Sequence, residues 1–214
     1  MLRSIKLAVR QFILFFLLLN VSASQAQMAA DDSSNDTSGT TARIAYATHV
    51  ETPPTLDGEV VNDAAWQAAK PTSGFWQTTP LAGVPASEKT RVGILYTATT
   101  LYVGVICYDR EPEGIVVADS RRDSPLNQSD SFQIILDTFD DDQNGFLFAT
   151  NPAGIEYDAQ VTNEGEGPRF SRRGAGGFNL NWDGSWQVQT RISDAGWSAE
   201  FAIPFRFSTQ HPAS

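Results

Sequence analysis

Asp137 to Gly154 reads DTFDDDQNGFLFATNPAG. Within it, Asp140, Asp142, Asn144 and Gly145 spell D-x-D-x-N-G, the opening of a calcium loop, in which alternate oxygen donors on a tight turn suit a hard cation. The same residues also spell a tight turn between two strands. A helix–loop–helix calcium site needs a bidentate Glu at the twelfth position from Asp140. That position holds Asn151, and the flanking residues alternate as strands do. The hairpin reading is therefore preferred, with Asn144-Gly145 suited to positive φ. Calcium at Asp140, Asp142 and Asn144 remains a second expectation, because crowded carboxylates repel one another and a cation relieves that.

Other reactive residue types give less. Cys107 is the sole cysteine and sits in the apolar run LYVGVICY, so a buried thiol is expected. The two histidines, His49 and His211, lie near the two ends, which gives a cysteine nucleophile no base. With Met28 they are the only His and Met residues after residue 26, and all three lie outside the central strands, so no haem is expected. Carboxylates are plentiful, but none stands in a recognisable acid/base motif, so the chain is not expected to be an enzyme. Arg121, Arg122 and Asp123, followed by Asn127, Gln128 and Asp130, offer paired hydrogen bonds to adjacent hydroxyls. A second basic group, Arg169, Arg172 and Arg173, fits an anionic ligand, a partner or plain solvation.

The elements that must position these residues have a period of two. RIAYATHV (43–50), KTRVGILYT (89–97), LYVGVICYD (101–109), SFQIILDTF (131–139), GFLFAT (145–150), GIEYDAQVT (154–162), SWQVQTRIS (185–193) and GWSAEFAIPF (196–205) all read as strands. In the fourth, Phe132, Ile134 and Leu136 share one face; in the seventh, Trp186, Val188, Thr190 and Ile192 point inward. The one helical candidate is NDAAWQAAK, Asn62 to Lys70, with Asn62 or Asp63 as its N-cap. Short strands with tight turns predict an all-β fold, an antiparallel β-sandwich (jelly-roll or immunoglobulin-like) with one short helix. Asn163 to Gly184 is a long glycine- and arginine-rich loop of the kind that often carries function.

Residues 1–26 are expected to be a signal peptide: Arg3, Lys6 and Arg10 precede FILFFLLL, and Ser24 and Ala26 suit cleavage. Residues 27–42 are small, polar and acidic, a disordered leader. The folded domain is placed at 43–207, with a tail at 208–214. The expected location is the periplasm, the outer membrane or the cell exterior. Removing residues 1–26 takes three of the 15 basic residues and none of the 25 acidic ones, which leaves 12 against 25, or −13. Such a balance disfavours nucleic acid and anionic membranes as partners.

TLDGEVVNDAAWQAA, with Leu56-Asp57-Gly58, Asp63 and Trp66, resembles the opening of family 9 carbohydrate-binding modules. LYVGVICYD is similar to their central strand, SDSFQIILDT and NPAGIEYDAQ to the strands that follow, and GWSAEFAIPF to the closing one. The resemblance spans residues 43–206. The nearest variant precedes an outer-membrane-barrel-like region in bacterial exported proteins, so the sequence is expected to be a free module or part of a longer protein. What the resemblance implies is a sandwich that binds saccharides, linked to glycan degradation or uptake and to glycoside hydrolases. Its modules clamp a terminal sugar between two tryptophans, and some bind structural calcium.

Binding a sugar takes an exposed aromatic face and hydrogen-bonding side chains. Trp186 and Trp197 alternate with core residues and Trp66 lies on the short helix, so packing is expected for all three. Trp76 in SGFWQTTP and Trp182 in NLNWDG lie in loops and are the two platforms, with Arg121, Asp123 and Asn127 as polar partners. For Trp182, sealing the end of the sandwich is an equal alternative. Two other functions stand beside saccharide binding: an assembly domain of an outer-membrane protein with a barrel partner, and a glycoside hydrolase component.

Overall fold

The structure is a computed structural model that describes residues 44–166 and 177–206 and the backbone of Leu7–Ala8. Arg169, Arg172, Arg173, His211 and Met28 lie outside the described residues, as do most of the expected signal and leader.

Alternation does build the sheets. The first contains β1 (Leu7–Ala8), β5 (Phe132–Leu136), β6 (Gly145–Thr150), β7 (Tyr157–Val161) and β8 (Phe178–Asn179), hydrogen-bonded in that order. The second contains β2 (Ala47–His49), β3 (Thr90–Tyr96), β4 (Thr100–Tyr108), β10 (Gly196–Pro204) and β9 (Gln187–Ser193), again in spatial order. Phe132, Ile134 and Phe148 from the first sheet pack against Val103, Val105, Ala199 and Phe201 from the second, and Trp186 and Trp197 fill the same core. Gln133 and Ile135 alternate outward from β5, as period two requires. Cys107 is buried there, and burial pushes its thiol up to about 12, which removes it as a nucleophile near neutral pH.

Several local expectations change. The first strand shrinks to three residues and pairs parallel to β3. Ile192 is half exposed rather than buried, since β9 is the sheet's outermost strand. The helical segment is a five-residue 3-10 turn, Ala64–Ala68, capped by the Asp63 carboxylate, which accepts from Ala65 N at 2.8 Å. Within the long irregular segment, Phe178–Asn179 joins β7 as the edge strand β8.

The turn between β5 and β6 is also built differently. Positive φ falls at Asp140 (56°) and Asp142 (57°), not at Asn144-Gly145, and Gly145 already stands opposite Val161 in β6. The cause is Asp137. Its carboxylate accepts from the backbone N–H groups of Phe139 (3.0 Å), Asp140 (2.7 Å) and Asp142 (2.8 Å), curling the chain into a wider loop than a two-residue hairpin. Asp tolerates the left-handed conformation because its short polar side chain can bond locally.

The outer face of the second sheet carries a separate layer. Gly93 pairs with Gly104, and Gly104 with Glu200, in one row across β3, β4 and β10. Trp66 lies on this row: a Cβ at Gly104 would stand 2.9 Å from its ring, so the position admits only glycine. Glu200, with no exposed surface, accepts from Trp66 Nε1 (2.6 Å), Asp57 N (2.9 Å) and Gly58 N (2.7 Å). Gly58 takes φ 83° and its Cα abuts the Thr190 carbonyl, so neither its conformation nor its space tolerates a side chain. Thus Leu56-Asp57-Gly58, Trp66 and the closing strand form one polar knot.

Candidate functional site

A second buried carboxylate marks the opposite side of the sandwich. Asp158 sits on the inward phase of β7, opposite Phe148, where alternation calls for an apolar residue. Its Oδ2 accepts from Trp186 Nε1 (2.8 Å), Gly184 N (3.0 Å) and Arg122 Nη2 (3.1 Å). Burial raises its pKa against the pull of these donors. The arrangement holds one guanidinium at the mouth of the core.

Arg122 is the hub of what surrounds it. Its Nη1 meets the Glu156 carboxylate, its Nη2 also reaches Asp183 Oδ1 at 2.5 Å, and its Nε lies 3.6 Å from Asp123 Oδ2. The side chain is still 37 % exposed, so solvent or a ligand reaches it. Desolvation raises Glu156 and Asp123 above the ordinary carboxylate values, with Arg122 opposing. Asp123 adopts φ 58°, and its N–H donates to the Glu156 carbonyl, folding the loop back over β7.

Trp182 lies next to this cluster in sequence, one residue before Asp183. Its ring centroid is 4.6 Å from that of Phe146 and 5.9 Å from that of Phe148, and it packs partly buried against the core. One face is therefore lined by Phe146, and the sealing role considered for it is real. Trp76 is the more open ring, half exposed, on a loop tied by a bridge to Pro85 and by Thr72 to Val92 of β3. Its neighbour Phe75 anchors that loop in the core. Phe139 extends the aromatic series outward: it is 58 % exposed and 6.2 Å from Phe146.

The other expected polar residues are placed less centrally. Arg121 is exposed and pairs with Asp119 at 2.6 Å, which holds the Asp119 carboxyl well below the usual range. Asn127 is exposed in the 3-10 turn Leu126–Gln128. Asp140, Asp142 and Asn144 stay on the turn after β5. Among the described residues, no group of three His, Cys, Asp or Glu side chains is arranged to hold a metal ion.

The sequence points to Arg122 only together with Arg121, and it does not point to Asp158 or Asp183 as binding residues. One signal is present for the other buried carboxylate: Glu200 is the single charged residue of the mostly apolar strand GWSAEFAIP, whereas Asp158 shares YDAQV with Gln160. Chemically, the cluster presents hydrogen-bond donors and acceptors in fixed positions beside indole and phenyl rings. Arg122, Gly184 and Trp186 hold its most buried carboxylate.

No family model matches the sequence, and no curated protein matches it. Among solved structures, it is similar to a carbohydrate binding module family 9 domain from Caldicellulosiruptor kristjanssonii in complex with cellotriose, at 17 % identity and a TM-score of 0.48. That match covers 74 % of this chain and 66 % of the other, so this chain spans just under two thirds of that one's length. A family 9 module from the same organism in complex with glucose matches at 16 % identity and a TM-score of 0.49, covering 79 % and 73 % of the two chains.

Proposed function

We propose that this domain binds a saccharide, with Trp76 and Trp182 as ring platforms and Arg122, Asp183 and Asp123 meeting the hydroxyl rim. The observation that carries this reading is the Arg122 guanidinium, fixed from below by the buried Asp158 and left open above, with Trp182 beside its partner Asp183. A pyranose needs an apolar plate and a fixed set of donors and acceptors around it. The ordered series of motifs that resembles family 9 modules points the same way. Export through residues 1–26 and a place in glycan degradation or uptake belong to this proposal.

Binding is favoured over hydrolysis by how the carboxylates are held. Glu156 and Asp158 both face Arg122, so neither stands as the free acid or base that a glycosidase uses across a cleft. A glycan array probed with the full chain, followed by titration of the hits, tests the proposal. Hits that weaken in Trp76→Ala and Arg122→Ala support it. An array without hits, or affinities unchanged in both variants, overturns it.

A further inference from the structure

We infer a second saccharide groove, built on the outer face of the second sheet beside the Trp66–Glu200 knot. It rests on the saccharide reading above only for the class of its ligand. The register sets its floor. Gln187, Ala202 and Tyr102 stand side by side across β9, β10 and β4. The central residue is the smallest of the three, so the row forms a trough with an amide on one wall and a phenol on the other. One row further along β10, Pro204 and Thr100 close the end.

The roof is Pro53, Pro54 and Leu56, and the groove, which stays open to solvent, has a volume of about 500 Å³. This falls within the range of small-molecule sites, roughly 300 to 1,000 Å³. The roof is held in place: Asp57 N and Gly58 N, immediately after it, donate to Glu200, and Thr55 N donates to Asp63 Oδ2 at 3.0 Å. A preformed groove spares a ligand the cost of ordering it.

Its chemistry selects the occupant. The chain has a net charge of −10, yet no charged side chain lines this groove. Its polar groups are the hydroxyls of Thr100, Tyr102 and Ser185 and the amide of Gln187; the rest is apolar. Prolines, Leu56 and the Tyr102 ring suit the C–H faces of a sugar, while hydroxyls and an amide suit its rim without asking for charge. The occupant is a neutral oligosaccharide. The segment Gly184–Gln187 links the two sites: Gly184 N and Trp186 Nε1 donate to Asp158, while Ser185, Trp186 and Gln187 line the groove.

The test is amide and side-chain NMR of the full chain, titrated with cellohexaose, xylohexaose and laminarihexaose, with hexagalacturonate as the charged control. At least one neutral hexamer is expected to shift the Gln187 side-chain amide and the Thr100 and Ala202 amides; hexagalacturonate is not. Ala202→Trp should abolish these shifts, and Gln187→Ala, a solvent-side change that leaves the fold intact, should weaken them roughly threefold to tenfold. Trp76→Ala should leave them unchanged. Shifts at the groove with none at Arg122 or Trp182 would retain the groove and sink the first site. Shifts at Arg122 and Trp182 with none at the groove would do the reverse. Groove shifts that survive both Ala202→Trp and Gln187→Ala also overturn the proposal.

Discussion

The indole of Trp66 donates a 2.6 Å hydrogen bond to Glu200, a carboxylate with no exposed surface. The same carboxylate fixes the Asp57-Gly58 turn through two backbone bonds. In Glu200→Gln, the amide can still accept from the indole but turns an NH2 group toward two backbone donors. A loss of about 3 kcal/mol in urea unfolding at pH 7 is expected. Trp66→Phe leaves an acceptor short of one donor and is expected to cost about half as much. Equal stability of wild type and Glu200→Gln would mean that the knot contributes nothing.

Stability should decline from mild acid to neutral pH. Burial raises Glu200, Asp158, Glu156, Asp123 and Asp130 above their ordinary values of 4.5 for Glu and 3.8 for Asp. Between the ordinary and the raised values the folded state holds more protons than the unfolded one, so stability falls as pH rises through that window. Asp119 and Asp141, depressed by hydrogen bonds from Arg121 and Asn144, act oppositely: their stabilisation is present above 3.8 and lost as pH falls. Both are exposed and screened, so the buried groups dominate. The melting temperature is expected to peak near the ordinary carboxylate values and to drop toward pH 7, less steeply in Glu200→Gln. A steady rise from pH 4.5 to 7 contradicts this.

The two tryptophan platforms should separate under mutation. Trp76 is half exposed, so Trp76→Ala is expected to keep the melting temperature and lose roughly tenfold or more in saccharide affinity. Trp182 packs on Phe146 and Phe148, so Trp182→Ala should lose affinity and about 2 kcal/mol of stability together. Calorimetric titration beside thermal melts decides it. A destabilised Trp182→Ala that still binds at full strength would leave that ring with sealing alone.

The sheets were legible in the sequence because alternation is local: Phe132, Ile134 and Leu136 announce their face within five residues. The core roles of Trp186 and Trp197 followed from the same phase. The site was legible only in part. Arg122 meets Asp158 and Asp183 across 36 and 61 residues, and nothing in the spacing around Arg122 distinguishes it from Arg121. The distinction is made by the left-handed turn at Asp123, which aims one arginine at β7 and leaves the other on Asp119. The series LDG, Trp66 and the closing strand was readable as a pattern, but its physical content, three donors on one buried carboxylate, appears only in three dimensions.

Arg122→Lys tests whether the site needs a planar fork or only a positive charge. Lys offers a single ammonium and cannot serve Glu156, Asp158 and Asp183 at once as the guanidinium does. Saccharide affinity is expected to fall roughly tenfold, and Asp158, keeping Trp186 and Gly184 as donors, should hold the fold together. Tyr157 and Trp186 resonances that move while affinity stays constant would assign Arg122 to structure and not to ligand.

The aspartate-rich turn tests a different use of carboxylates. Asp137 accepts from four backbone N–H groups, and Asp141 Oδ1 accepts from Gln143 N (2.9 Å) and Asn144 N (2.7 Å), while its Oδ2 accepts from Asn144 Nδ2 (2.7 Å). The two carboxylates that shape the loop are thus spent on amides, and neither belongs to the D-x-D-x-N series. Asp137→Ala is therefore expected to cost about 1 kcal/mol, like the loss of a cap. Calcium or a chelator should leave the melting temperature of the unmutated chain unchanged. Calcium-dependent melting that disappears in Asp140→Ala would instead establish a metal on this turn.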